Sequence, residues 1–472
     1  MNDTKLYEFV FGPESVGETD EERAASSSRL FVRSQLQIAE DNPKATGHRL
    51  TAYEVWKTFG LDVLKRIADE GSCPIIQMAD EPSRTLKGRR NDLNLSTRRV
   101  ALTAGISEEL VERSETPGEV LQFQQLERIG QVLALDERSL GFVRGAQGDR
   151  NLGVRLREMA QASDVKRFSE SEVTGLAEAA WVIARQLELS ETNGESKGTS
   201  SQFVRSRDYS YPAYKRGYDL ALTTRKKLSI ADDAPIGSLK SLIEDTLGTP
   251  VIQLALGENF AGATVANNTS RGIVVNEKGA NANVWVRRMT LAHEVGHLLW
   301  DPDERLDKLR VDSYDELDVP PQVMRTDVVE IRANAFAIAF LAPPSGVRKI
   351  MDNAGSNFDG MAEVMTKYGI SATAAKHHIW NTARIDVSNI SIASLPTTSD
   401  DWVARENLTV DFFKPQETPI SRRGRFAYLS AKAYRAGKIT ADTASAYLKC
   451  TKAEFEQNVD FIFAALEGSN SG

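Results

Sequence analysis

MTLAHEVGHLLW, Met289 to Trp300, is the stretch from which the rest of this 472-residue chain is read. It contains His293-Glu294-x-x-His297, with Leu291, Val295, Leu298 and Leu299 recurring around it at helical spacing. On a helix, positions i and i+4 lie about 40° apart around the axis, with a rise of roughly 6 Å. Two imidazoles can therefore converge on one cation from one rigid face. Glu294, next to the first histidine, can reach a water on that cation without binding the cation itself, which suits a general base. The plain alternative is an amphipathic core helix with two incidental histidines. The chain has five histidines, and two of them fall at this spacing in an apolar helix, which favours the metal site.

A catalytic zinc needs three protein ligands and an open position. Downstream the candidates are His377, His378 and a carboxylate. The segment DVVEIRANAFAIAFLAPP, Asp327 to Pro344, predicts a helix that ends at a proline pair. Glu330 shares a face with Ala333, Ala337 and Phe340. A glutamate on so apolar a helix needs a reason, and a metal is one. Asp327, one turn earlier, is the rival ligand. A surface carboxylate favoured by the helix dipole is the plain alternative for Glu330.

Composition frames this. At 41% hydrophobic and 26% charged residues, the chain reads as soluble and globular, with length for about three domains. No apolar run reaches the ~18 residues of a membrane span. The N-terminus lacks the basic start and apolar core of a secretory signal. The two cysteines, Cys73 and Cys450, give neither a disulfide framework nor a zinc knuckle, so a cytoplasmic location is expected. A net charge of −8 argues against a chain-wide nucleic-acid surface but allows a local basic patch.

Residues 1–50 are polar and aperiodic and predict a flexible or partner-dependent arm. Thr51 to Asp69 predicts an amphipathic helix. From Leu86 to Asp136 several short helices are expected. Ser96 caps one, Ala104-Gly105-Ile106 makes a tight turn, Ser107 caps the next, and Pro117-Gly118 ends it. Helix, glycine turn, helix is the arrangement that sets a second helix in a DNA major groove. Between Arg84 and Arg113 seven basic residues face four acidic ones, a balance of +3. The second helix, however, carries three Glu and one Arg, which phosphate repels. DNA contact would fall to Arg89, Arg90, Arg98 and Arg99. The competing reading is a degenerate module for dimerisation or docking. Residues 146–190 predict a helical connector, and the polar ETNGESKGTSS opens a linker over 191–205. VIQLALG and GIVVNEK, before the site helix, read as strands. Residues 361–385 predict helix, glycine turn, helix. There His377 or His378 could donate to a developing oxyanion, although a solvated or core pair is the plainer reading. Residues 389–420 read as a linker and 421–472 as a C-terminal helical module with a basic face, either a docking element or a capping bundle.

Two resemblances give this outline names. Leu95, Val100, Ala101, Gly105, Ile106, Val111, Leu126 and Leu133 occupy what look like core positions of the XRE-type helix-turn-helix family, and domain 51–145 resembles it. Gly217 to Pro344 resembles the ImmA/IrrE family of zinc metallopeptidases. The carrying residues are GYDLA at 217–221, GIVVN at 272–276, RRMTLAHEVGHLLW at 287–300 and ExxANxFAxxFLAP from Glu330 to Pro343. That resemblance implies one Zn²⁺ per chain held by His293, His297 and Glu330, Glu294 as base, and Asn334 in support. It assigns 206–388 to a zincin-like catalytic domain. The expected fold is mostly α with a small β-sheet: an α+β zincin-like domain between helical N- and C-terminal modules. The expected activity is peptide-bond hydrolysis, typically of a helix-turn-helix repressor, in a stress, phage or mobile-element response. The other readings are a DNA-binding transcriptional regulator that uses the metallopeptidase fold as a sensor, and a toxin or defence effector. A protein substrate, possible DNA contact, possible homodimerisation and no membrane complete the expected partners.

Overall fold

A computed structural model describes residues 3–142, 169–196, 198–205, 212–257, 260–267, 270–302, 306, 312–313, 328–406 and 413–467. The chain is mostly helical with two small sheets. It divides into two units: Met1–Ser196 together with Thr409–Gly472, and Lys197–Leu408. The division at Ser196 falls inside the Gly/Ser-rich stretch.

In the first unit, residues 1–50 depart from the expected arm. Helices Asp3–Phe11 and Asp20–Ser26 lead into strands β1 (Leu30–Arg33), β2 (Gln37–Glu40) and β3 (His48–Thr51), and β4 (Ser72–Pro74) follows. The sheet is antiparallel throughout, in the order β3-β1-β2-β4. Strands of three or four residues are too short to show a period, which is why the sequence reads as an arm. Tertiary burial supports them instead. Val10, Phe11, Phe31 and Ile38 share a core with Tyr53, Val55, Leu64 and Ile67. The latter four lie on helices Ala52–Phe59 and Leu61–Glu70, into which Gly60 splits the expected single helix.

Helices Ser83–Asp92, Thr97–Ala104, Glu108–Ser114 and Phe123–Val132 come next. Ser96 Oγ accepts from Arg99 N at 3.1 Å, and Ser107 Oγ accepts from Leu110 N at 3.3 Å. Between these caps Gly105, at φ +65°, ends the first helix in the left-handed region. Leu95, Val100, Ala101, Val111, Leu126 and Leu133 are buried. Residues 143–168, which take in the first half of the expected connector, lie outside the described residues. The rest of the connector is the buried helix Glu170–Thr192.

The C-terminal helices Arg425–Arg435, Ala441–Leu448 and Lys452–Glu467 are not a separate module but part of this first unit. Several of the basic residues here meet acidic partners within the unit, while Arg435 and Lys452 stay exposed. Arg422 is fully buried. It donates to Glu178 Oε1 at 2.9 Å, Gln131 Oε1 at 3.0 Å and Tyr447 O at 2.7 Å. Lys449 reaches Glu178 at 3.3 Å, and Arg425 and Lys432 reach Glu195 at 2.7 and 3.2 Å. His48 of β3 lies between Glu127 at 2.8 Å and Thr443 of the C-terminal segment at 2.9 Å.

The second unit holds β5 (Val251–Leu254), β6 (Phe260–Asn267), β7 (Ser270–Asn276) and the two-residue β8 (Asp312–Ser313), in the order β5-β7-β6-β8. β5 runs parallel to β7, and β6 runs antiparallel to both β7 and β8. The sheet lies beside the helix Val284–Trp300, here the site helix. On another side the site helix packs against Val328–Leu341, here the ligand helix. Residues 389–406, the first part of the expected 389–420 linker, carry the helix Asp400–Arg405 and join the core through Trp402 and Glu406. Arg288, fully buried on the site helix, is ion-paired to Glu406, stacks 4.3 Å over Trp402 and donates to Gly369 O at 3.2 Å. A buried guanidinium needs such a partner, so the segment after residue 389 is held to the helix that carries the site.

Glu178 yields a stability prediction. Burial pushes its carboxyl pKa up, but Arg422 and Lys449 outweigh that and hold it at about 2. A folded pKa below the unfolded value of about 4.3 stabilises the fold above that value, and the contribution is lost as pH falls toward 2. Glu178→Gln should therefore lower unfolding free energy by about 3–5 kcal/mol at neutral pH, because Arg422 keeps its charge without its partner. In denaturant titrations of the variant, the loss of stability between about pH 4.5 and 2 should be shallower than in the parent.

Candidate metal centre

The site helix is buried along nearly its whole length and starts at Asn283, whose Oδ1 accepts from Trp285 N at 2.9 Å. Two small residues let its neighbours approach. A Cβ on Gly296 would lie 2.9 Å from Phe336 of the ligand helix. A Cβ on Gly262 of β6 would lie 2.8 Å from Thr290 Cγ2 and 3.1 Å from Glu294 Oε1. Glycine at these positions removes the atom that would hold helix from helix and strand from helix.

His293, His297 and Glu330 come together at this contact, all buried, and the group could hold a metal ion. The two Nε2 atoms lie 2.9 Å apart. Both face one carboxylate oxygen, Glu330 Oε2, at 3.3 and 3.2 Å. Ligands about 2.0–2.1 Å from a tetrahedral ion stand roughly 3.3 Å from one another, so the three donors span one face of such a sphere.

The far side of each ring supports the same direction. His293 Nδ1 lies 2.8 Å from Asn334 Oδ1, and His297 Nδ1 lies 2.9 Å from Asp301 Oδ2. Both partners accept, so each Nδ1–H donates away from the cluster and Nε2 is the nitrogen turned toward the centre. Burial disfavours a charged His297, but the Glu330 and Asp301 carboxylates overcome it and hold its pKa well above the usual value. Burial likewise opposes ionisation of Glu330, and His297 and His293 reverse that, leaving its pKa far below the usual range. The cluster is thus built around a positive charge. A metal cation satisfies all three groups where a proton satisfies two.

Glu294, also buried, is not part of this triad. Its Oε2 accepts from Thr264 Oγ1 of β6 at 2.7 Å. The strand thereby fixes the carboxylate of the residue that follows His293 on the site helix. β7 and the loops around it are held by two asparagines. Asn276 donates to Gly257 O at 2.9 Å and Phe260 O at 2.8 Å, and Asn281 donates to Ala261 O at 2.8 Å and accepts from Thr290 Oγ1 at 2.9 Å.

Of the other candidates, Asn334 stands where a supporting residue should. Asp327 lies outside the described residues. The oxyanion role considered for His377 and His378 gains no geometry. His377 is exposed. Both nitrogens of buried His378 are engaged, Nδ1 by the Tyr218 hydroxyl at 2.7 Å and Nε2 by Ala342 O at 2.6 Å. Burial lowers its pKa to about 4, so it is a neutral peg at the end of the ligand helix. The four arginines considered for DNA are also divided. Arg89 is buried, and Arg90 forks onto Glu115 at 2.5 and 2.8 Å. Arg98 is exposed and Arg99 half-buried. A helix pattern cannot show that two of the four face inward onto a neighbouring turn.

Sequence reasoning missed Thr264, Asp301 and Arg332. Thr264 carries no local signal, because its partner is thirty positions away. Asp301 does: an acid one turn after His297, at a helix C-terminus where the dipole disfavours it, invites a question.

His378→Gln tests the peg. Removing one buried hydrogen bond should cost about 1–3 kcal/mol in thermal or chemical unfolding, with bound metal per chain unchanged. A folded variant with reduced metal content would place His378 at the centre after all.

No model of a known protein family matches the chain, and no curated protein matches it in sequence, so the reading of function rests on these groups and their geometry.

Proposed function

We propose that the second unit is a zinc-dependent endopeptidase. The observation that carries this is the convergence of His293 Nε2, His297 Nε2 and Glu330 Oε2, with Glu294, next to His293 on the same helix, held separately by Thr264. Two imidazoles and one carboxylate are the donor set of a catalytic rather than a structural zinc, and three protein ligands leave a coordination position open. Zinc there would supply Lewis acidity and lower the pKa of a water to about 7. A centre that served only to hold the fold would have no use for Glu294.

This chain's residues then have distinct tasks. Asn334 and Asp301 keep the two rings turned to the centre. Thr264 fixes the Glu294 carboxylate so that it takes a proton from the attacking water and returns it to the leaving amine. Arg288 and Glu406 anchor the start of the site helix. The resemblance to ImmA/IrrE peptidases supports a regulatory protein, a helix-turn-helix repressor in particular, as substrate.

Glu294→Gln is the direct test. The variant should retain the parent's zinc by elemental analysis and lose peptide cleavage by at least 100-fold, in the range general-base removal produces. His293→Ala and Glu330→Ala should lose both. A Glu294→Gln protein that cleaved at the parent's rate would remove the base from this mechanism.

A further inference from the structure

We infer that Asp301 and Arg332 are positioning residues that tie the orientation of His297 to the placement of Glu330. The inference rests on the metal reading above and deepens it by assigning two residues that no motif includes. Asp301 follows the site helix directly, and its backbone N–H donates to His297 O at 2.9 Å. Its side chain is 1% exposed. One carboxylate oxygen accepts from His297 Nδ1 at 2.9 Å, and the other is ion-paired to Arg332 Nη2.

Three features mark this arrangement as more than a helix cap. A buried carboxylate at a helix C-terminus meets the negative end of the dipole and loses its hydration, so it persists only with strong partners. Both partners bear on the centre. His297 is one ligand, and Arg332 stands two residues after another, Glu330, on the ligand helix. Finally, Arg332 is itself 4% exposed, so neither member of the pair has bulk water to fall back on. A single side chain therefore joins the ring of the second ligand to the backbone segment that presents the third. A carboxylate behind an imidazole fixes the tautomer, limits ring rotation and makes Nε2 a better donor, and losing such a partner generally weakens metal binding 10–100-fold.

The test is zinc affinity of the full chain, measured by competition with a chromogenic chelator, alongside the visible absorption of the cobalt(II)-loaded protein. Asp301→Asn keeps an acceptor for Nδ1 and removes the charge. Zinc should bind about tenfold or more weakly, and the cobalt bands should shift or lose intensity. Because Asn leaves the Arg332 charge buried, the double variant Asp301→Asn/Arg332→Gln is measured too. It removes both charges at once and decides the matter if the single variant does not fold. Weakening of threefold or more in the folded variant supports the inference, and affinity within threefold of the parent overturns it. A parent chain that binds neither ion would overturn the metal reading and this inference with it. A parent that binds beside an unaffected variant would overturn this inference alone.

Discussion

The second unit depends on bringing three electron-pair donors together inside a core. Two imidazole nitrogens and a carboxylate oxygen, 2.9 to 3.3 Å apart and shielded from water, form a concentration of negative potential. Such a cluster is costly unless a cation occupies it or protons neutralise it. Much of the surrounding structure follows from that demand. The histidines need acceptors behind them, met by Asn334 and Asp301. Glu330 must approach from a second helix, and Gly296 allows it. Glu294 must stay near without joining, and Thr264 holds it from the sheet.

The first unit applies the same constraint to ion pairs. Arg422 and Lys449 pair with Glu178, and Arg425 and Lys432 with Glu195, so the last helices of the chain are tied to the helix Glu170–Thr192 and the residues just after it. Buried ions add little net stability, but each makes its neighbours hard to replace. Arg288 and Glu406 do the same for the segment after residue 389. In all three places a charge that local sequence assigns to the surface is internal because its counter-charge comes from far along the chain.

Legibility varied with the range of the interaction. The site helix, the ligand helix and the helix-turn-helix caps at Ser96 and Ser107 are local: apolar spacing and a cap residue a few positions away determine them. β6 is not. Its FAGATVAN is rich in small residues, weak as a strand by propensity, and it becomes one because β7 pairs along it and Gly262 lets it pass over Thr290. The first fifty residues escaped for a related reason, since each element is too short to display a period. Arg89, Arg90 and His378 show the converse, where residue type suggested chemistry but burial commits them to Ala134, Glu115 and Ala342.

By itself the sequence determined that two histidines share a helix face with a glutamate next to the first, that a second apolar helix carries an unexplained glutamate, and that helices dominate. Those properties follow from residue spacing on a helix, which needs no partner. Only the tertiary structure decided that Glu330 Oε2 meets both Nε2 atoms, that Asn334 and Asp301 set the ring tautomers, and that Thr264 steadies Glu294. These contacts span four to forty-one positions, and all but one join different elements. They exist because helix packing over Gly296 and strand packing over Gly262 bring distant backbones close, and residue spacing along one helix carries no information about that.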